Sequence, residues 1–197
     1  MVELMSRVGK KPILIPQGVE IKIQGNKVTV KGPKGEISKD FRPEISIEMK
    51  EDKIFVLPQK EILEKKKISG RKAKQVKSLW GMTRMMIENM VKGVVSDFEK
   101  KLEIEGVGFK AEVVGQEVSL SVGFSEPVKT KIPEGLNVSI QKNVIAISGI
   151  KKDLVGQFAS ILRKVKPAEP YKGKGLKYQG EIIRRKVGKK VVTAGTK

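Results

Sequence analysis

One segment of this chain is written twice. Ile15-Pro16-Gln17-Gly18-Val19-Glu20-Ile21-Lys22-Ile23-Gln24-Gly25-Asn26-Lys27-Val28-Thr29-Val30-Lys31-Gly32 aligns without a gap with Ile132-Pro133-Glu134-Gly135-Leu136-Asn137-Val138-Ser139-Ile140-Gln141-Lys142-Asn143-Val144-Ile145-Ala146-Ile147-Ser148-Gly149. The leading Ile and Pro, the first Gly, Ile23/Ile140, the Gln, the Asn and the closing Gly coincide, and most other apolar positions are conservative swaps. A duplicated segment calls for a duplicated unit, so the fold must be one supersecondary plan used twice. Pro-x-Gly sets a turn. Val19, Ile21 and Ile23 then alternate, as do Leu136, Val138 and Ile140, which is the period of a strand with one buried face. After a turn at Gly25-Asn26, or at Lys142-Asn143, a second alternating strand carries Val28 and Val30, or Ile145 and Ile147. Each copy thus begins with a hairpin.

A helix follows each hairpin. In the second copy Leu154, Val155, Phe158, Ile161, Leu162 and Val165 recur at steps of three and four, and Pro167 ends the run. In the first copy two further strands, near residues 45–49 and 54–57, delay the helix, whose stripe is Val76, Leu79, Trp80, Thr83, Met86, Ile87, Met90 and Val94. Met86 and Met90 sit on that stripe while Met82 and Met85 do not, so the methionine-rich helix and Trp80 read as core rather than as a soft binding face. The helices share Leu-x-Gly, at Leu79-Trp80-Gly81 and Leu154-Val155-Gly156. A mid-helix Gly costs about 1 kcal/mol relative to Ala, and close approach to the sheet backbone is the expected reason for keeping it. Between the copies, a strand at 102–105 is expected to pair with one at 109–114, followed by one at 118–123 after a turn at Gly115-Gln116. The expected architecture is α+β: two tandem homologous domains, each a small mainly antiparallel sheet packed against one helix, with a basic C-terminal arm. The boundaries are residues 1–95, 96–166 and 167–197.

Composition narrows the partner. The chain has 197 residues with 41 Lys+Arg against 22 Asp+Glu, a formal net charge of +19. Solubility rarely requires more than about 8 net charges, so a field of this size points to a polyanion, nucleic acid before anionic membrane. With no Cys and no His, disulfides, thiolate metal sites and the commonest general base are all excluded. Carboxylate-rich calcium-loop spacing is also missing, so no cofactor and no metal are expected. No apolar run approaches the roughly 18 residues of a membrane span and no secretory h-region is seen. These features place the chain in the cytoplasm or an equivalent compartment.

The charge is concentrated. From residue 163 onward twelve basic residues face only Glu169 and Glu181. A second cluster, Lys60, Lys65, Lys66, Lys67, Arg71, Lys72, Lys74 and Lys77, precedes the first helix. After Pro167 apolar periodicity fades, Pro167-Ala168-Glu169-Pro170 forbids a helix, and Gly173, Gly175, Gly180 and Gly188 keep the backbone open. This reads as an extended arm laid on a partner rather than a packed element. In that reading the glycines let the main chain approach a sugar–phosphate backbone. Lys172, Lys174 and Lys177 supply point charges, Arg184 and Arg185 planar forks, and Lys186, Lys189 and Lys190 further charge. Tyr171 and Tyr178 are placed to stack on a ribose or base. A solvated tail would require neither the tyrosines nor the Ile182-Ile183 pair. If six to ten of these side chains neutralise phosphates, affinity falls about 10³–10⁵-fold between 50 and 200 mM salt.

Catalysis finds no support. Lys172-Gly173-Lys174-Gly175 lacks the spacing and the strand–helix context of a phosphate loop, and Gly106-Val107-Gly108 lacks the third glycine of a dinucleotide fingerprint. Glu103 and Glu105, two apart on one strand face, read as a solvated face, and no nucleophile elbow appears. The chain is read as a non-enzyme without a small-molecule substrate.

Several motifs together resemble the bacterial-type family of the sixth protein of the large ribosomal subunit. They are Ser6-Arg7-Val8-Gly9-Lys10-Lys11-Pro12-Ile13, the Ile-Pro-x-Gly-Val hairpin, the 102–109 segment with Gly106-Val107-Gly108-Phe109, and above all Pro167-Ala168-Glu169-Pro170-Tyr171-Lys172-Gly173-Lys174-Gly175-Leu176-Lys177-Tyr178-Gln179-Gly180-Glu181. The similarity spans nearly the whole chain; residues 1–4 precede the Met5-Ser6-Arg7 step at which the family usually starts. The resemblance implies a duplicated α+β fold bound to 23S-type rRNA near the sarcin–ricin loop. That site lies at the base of the factor-binding stalk, among neighbouring large-subunit proteins, in a cytoplasmic or organelle ribosome. It implies RNA contact at Tyr171, Lys172, Gly173, Lys174, Gly175 and Lys177; Arg184, Arg185, Lys186, Lys189 and Lys190 are added from charge alone. The alternatives are a basic RNA or DNA chaperone outside the ribosome, which needs the charge but not the signature, and a scaffold docking on acidic proteins.

Overall fold

The computed structural model describes residues 6–50, 52–59 and 70–188. The chain divides into two compact units: residues 1–98 with Ile150–Lys152, and Glu99–Gly149 with residues 153–197.

In the first unit β1 (Ile13–Leu14), β5 (Ile45–Lys50) and β6 (Lys53–Pro58) form one antiparallel sheet in the order β1-β6-β5. A second contains β2 (Glu20–Gln24), β3 (Lys27–Gly32) and β4 (Gly35–Asp40) in sequence order. Helix α1 (Gly70–Val95) packs on both sheets. Its stripe is buried as the periodicity requires, apart from the partly buried Met86, with Ile87 and Val94 at 0% exposure, and it joins Val28, Val30, Ile37, Ile54 and Val56 in one core. Trp80 belongs to that core, and its indole N–H donates to the carbonyl of Val56 at 2.5 Å. Met82 and Met85 point outward while Met90 is buried.

In the second unit β8 (Lys110–Val114), β9 (Glu117–Ser121) and β10 (Val128–Lys131) form a three-stranded antiparallel sheet. A four-stranded sheet runs β11 (Leu136–Gln141), β12 (Val144–Gly149), β7 (Phe98–Glu105), β13 (Gly175–Tyr178). Helix α2 (Lys152–Val165) buries Val155, Phe158, Ala159 and Leu162.

The two hairpins repeat residue for residue. Ile21 faces Val30 in the first and Val138 faces Ile147 in the second, equivalent positions in the same register. The turns differ in one respect. Gly25 has φ +59°, whereas its counterpart Lys142, at +53°, is the one non-glycine with positive φ among the described residues.

Three expectations are corrected. Strand β7 does not pair with β8; it lies between β12 and β13, and β8 pairs with β9. Gly108, at φ +77°, lies in the loop that separates β7 from β8 and sends them to different sheets. The helix glycines do not touch the sheet backbone: a Cβ on Gly156 would meet nothing within 4 Å, and one on Gly81 would meet only the Ser6 hydroxyl at 3.6 Å. A third helix glycine, Gly93, does make a close approach, but to a loop: a Cβ there would collide with the carbonyl oxygen of Ile150, which lies outside the strands. Finally, the run after Pro167 does contribute a packed element, because β13 pairs with β7 and Leu176 is 0% exposed.

Candidate nucleic-acid interface

The basic signature is held by the end of α2 and by β13. As α2 ends, the Lys166 carbonyl accepts a hydrogen bond from Leu176 N–H at 2.8 Å, and Pro167 bridges Leu176. The intervening residues fold into a tight loop. Glu169 N–H donates to the Lys174 carbonyl at 2.8 Å, and Gly173 N–H donates to the Glu169 carbonyl at 2.9 Å. Farther along, Lys186 N–H donates to the Pro170 carbonyl at 2.9 Å, which ties the Arg184–Lys186 stretch to the loop.

This geometry changes the role of the glycines. Gly175 is buried at φ +136°, and a Cβ there would lie 2.6 Å from the Pro167 oxygen and 2.8 Å from both the Ala168 Cα and the Lys166 oxygen. Gly173 is buried at φ +76°, with the Arg185 guanidinium 3.4 Å from where its Cβ would stand. The space was expected to admit a sugar–phosphate backbone; at Gly175 the protein's own main chain fills it, whereas at Gly173 the neighbour is the tip of the Arg185 side chain.

The side chains fall into two sets. Tyr171, Lys172, Arg184, Arg185 and Lys186 are exposed and Lys174 is half-buried, all brought together by the loop and its hydrogen bond to Lys186. Lys177 and Tyr178 are engaged within the unit. The Lys177 ammonium donates to Glu105 at 2.9 Å and lies 3.6 Å from Glu103, across the β7–β13 ladder. Its hydrogen bond to Glu105 raises the Lys177 pKa above its ordinary value and lowers that of Glu105. The face formed by Glu103 and Glu105 therefore carries an ion-pair cluster. Tyr178 receives the Arg163 guanidinium 5.3 Å and the Lys100 ammonium 5.8 Å from its ring centre. Arg163 in turn pairs with Glu181 at 2.5 Å, and Glu181 also accepts Tyr178 N–H at 3.0 Å. Of the isoleucine pair, Ile183 is half-buried and Ile182 is 95% exposed.

Lys189 and Lys190 lie outside the described residues, as do Lys60, Lys65, Lys66 and Lys67 of the second cluster. Arg71, Lys74 and Lys77 are exposed on the first turns of α1. Lys166, counted in the basic cluster but not singled out as a site residue, has its ammonium 5.2 Å from the centre of the half-exposed Phe124 ring. No local motif links those two residues; their meeting depends on the fold.

A family model described as "Ribosomal protein L6" matches the chain twice, over residues 15–96 and 105–179, one match on each repeat. The chain is 51% identical over 188 residues to a protein of Dictyoglomus turgidum named large ribosomal subunit protein uL6, covering 94% of this chain and 98% of that one. It is 46% identical over 187 residues to the uL6 protein of Carboxydothermus hydrogenoformans, covering 94% and 96%. It is 45% identical over 186 residues to a protein of Guillardia theta named uL6c, covering 94% and 98%.

Proposed function

We propose, from the premise that this chain belongs to the ribosomal protein L6 family, that it is a non-enzymatic structural constituent of the large ribosomal subunit that binds 23S-type rRNA. Its site on that RNA is the region of the sarcin–ricin loop and the base of the factor-binding stalk, beside neighbouring large-subunit proteins. The observation that carries the reading is the clustering of Lys172, Lys174, Arg184, Arg185 and Lys186 around one rigid loop, with Tyr171 exposed among them. Exposed cations held on a fixed backbone engage several phosphates at once without a large ordering cost, so they position RNA rather than read its sequence. Lys189 and Lys190 extend the same charge along the chain. Lys177 and Tyr178, which follow the loop on β13, add to the same interface while also engaging Glu105 and Arg163 of this chain.

Binding of the full chain to large-subunit rRNA, titrated across salt, tests this. Five phosphate contacts give a logarithmic salt slope of about −4.5 on a duplex, or roughly 500-fold weaker binding at 200 than at 50 mM. Equal affinity for random duplex RNA of the same length would move the assignment to a general basic chaperone. Affinity that ignores salt would remove the phosphate-binding reading altogether.

A further inference from the structure

Beside the loop lies a cleft of about 510 Å³, within the size range of sites that hold a small planar molecule. The half-buried Phe109 ring lines it, with the fully buried Val122 packed behind. That ring is gripped by bare main chain: a Cβ on Gly106 would lie 2.6 Å from it and a Cβ on Gly123 3.3 Å. Two missing side chains thus leave the aromatic face in one position, a preorganised platform rather than a mobile flap. Half-buried Lys166 and Lys174 and the exposed Glu169 also line it, and the half-exposed Phe124 ring lies 5.2 Å from the Lys166 ammonium.

We propose that this cleft holds one unpaired nucleobase of the bound RNA, stacked on Phe109, with Lys166 and Lys174 meeting the phosphates on either side. An apolar, aromatic lining with cations beside it matches a nucleotide pulled from its stack, whose face is apolar and whose backbone is anionic. Glu169 is the one acidic residue lining the cleft. A carboxylate accepts hydrogen bonds and donates none, so it favours a base carrying an exocyclic amine, whether cytosine, adenine or guanine, over uracil, whose one base donor is its N3–H. This gives the interface a means of reading a base that the phosphate contacts lack. It rests on the rRNA-binding reading above.

The test is footprinting of large-subunit rRNA by the full chain, with base-modifying reagents and hydroxyl-radical cleavage of the backbone run in parallel. The wild-type chain is expected to protect one unpaired amine-bearing base inside its backbone footprint. Phe109→Leu, which keeps most of the apolar volume, should expose that base and weaken binding about 5- to 150-fold while the backbone protections persist. Glu169 is exposed, so Glu169→Gln decides the matter should the Leu variant not fold. It should abolish the preference for the natural base over uracil at that position. A backbone footprint with no protected base, or base protection indifferent to both substitutions, overturns the cleft and leaves the rRNA reading standing. Absence of any backbone footprint overturns the rRNA reading itself.

Discussion

Gly175→Ala tests whether the signature loop is a packed part of the second unit. The added Cβ would stand 2.6 Å from the Pro167 carbonyl oxygen and 2.8 Å from the Ala168 Cα and the Lys166 oxygen. All three are backbone atoms fixed by the end of α2 and by the Leu176–Lys166 hydrogen bond, so none can swing aside as a side-chain tip would. Overpacking of this kind costs about 1–3 kcal/mol. The backbone at φ +136°, a conformation nearly exclusive to glycine, adds about 1–3 kcal/mol more. The sum, about 2–6 kcal/mol, is comparable with the whole stability of a small domain. The relief route is local: β13 can leave β7, breaking the Gly175–Glu105 to Tyr178–Leu102 register and exposing Leu176. Two assays follow. Urea unfolding should show a midpoint lower by roughly 1–3 M for a loss near 3 kcal/mol, given slopes of about 1–3 kcal/mol per M. Hydrogen exchange should show loss of protection at residues 175–178 and at their partners 102–105. Gly156→Ala is the control of opposite sign, since open space surrounds that helical glycine and the change should stabilise by about 1 kcal/mol. A Gly175→Ala protein within about 0.5 kcal/mol of wild type, with exchange at 175–178 unaltered, would refute the packing argument.

Other outcomes follow from the same physics. Lys142→Gly should stabilise the chain by up to about 1 kcal/mol, because glycine takes the left-handed turn without strain, as Gly25 does in the equivalent hairpin; thermal unfolding checks it. Glu105→Gln should weaken the β7–β13 ladder in a pH-dependent way. The folded-state pKa of Glu105 is lowered from its ordinary 4.5, so its contribution is present above 4.5 and disappears as pH falls through the lowered value. That of Lys177 is raised from 10.5, so its contribution is full below 10.5 and disappears only as pH rises through the raised value. The stability difference between wild type and Glu105→Gln should therefore be constant near neutrality and vanish in acid; a difference that persists in acid would exclude the ion pair as its source. Trp80→Phe should cost about 1–3 kcal/mol by leaving the buried Val56 carbonyl without its donor, measured by urea unfolding followed by circular dichroism.

What the sequence determined by itself was whatever depends on neighbours a few residues apart. Alternation at Val19–Ile23 and Leu136–Ile140 specified the hairpins, since a period of two has only one buried face to offer. The steps of three and four through Val76–Val94 and Leu154–Val165 specified the helices, and Pro167 specified where the second one stops. The excess of positive charge and its crowding after residue 163 were legible too, because charge is carried by residue type alone. Partner choice among strands was not legible. Nothing local says that β7 should lie beside β13; β1 is only two residues long, and β4 and β10 each carry a single apolar residue, Ile37 and Val128, too little alternation to announce a strand. Because the pairing of β7 with β13 decides which groups meet, tertiary structure alone brought Lys177, expected from sequence to bind phosphate, onto Glu105, 72 residues away in sequence. It alone gave Gly175 a packing role and set Phe109 between Gly106 and Gly123 beside Lys166 and Lys174. A side chain's type fixes what it can bind, but the distances at which it meets other groups arise only when remote strands close on one another.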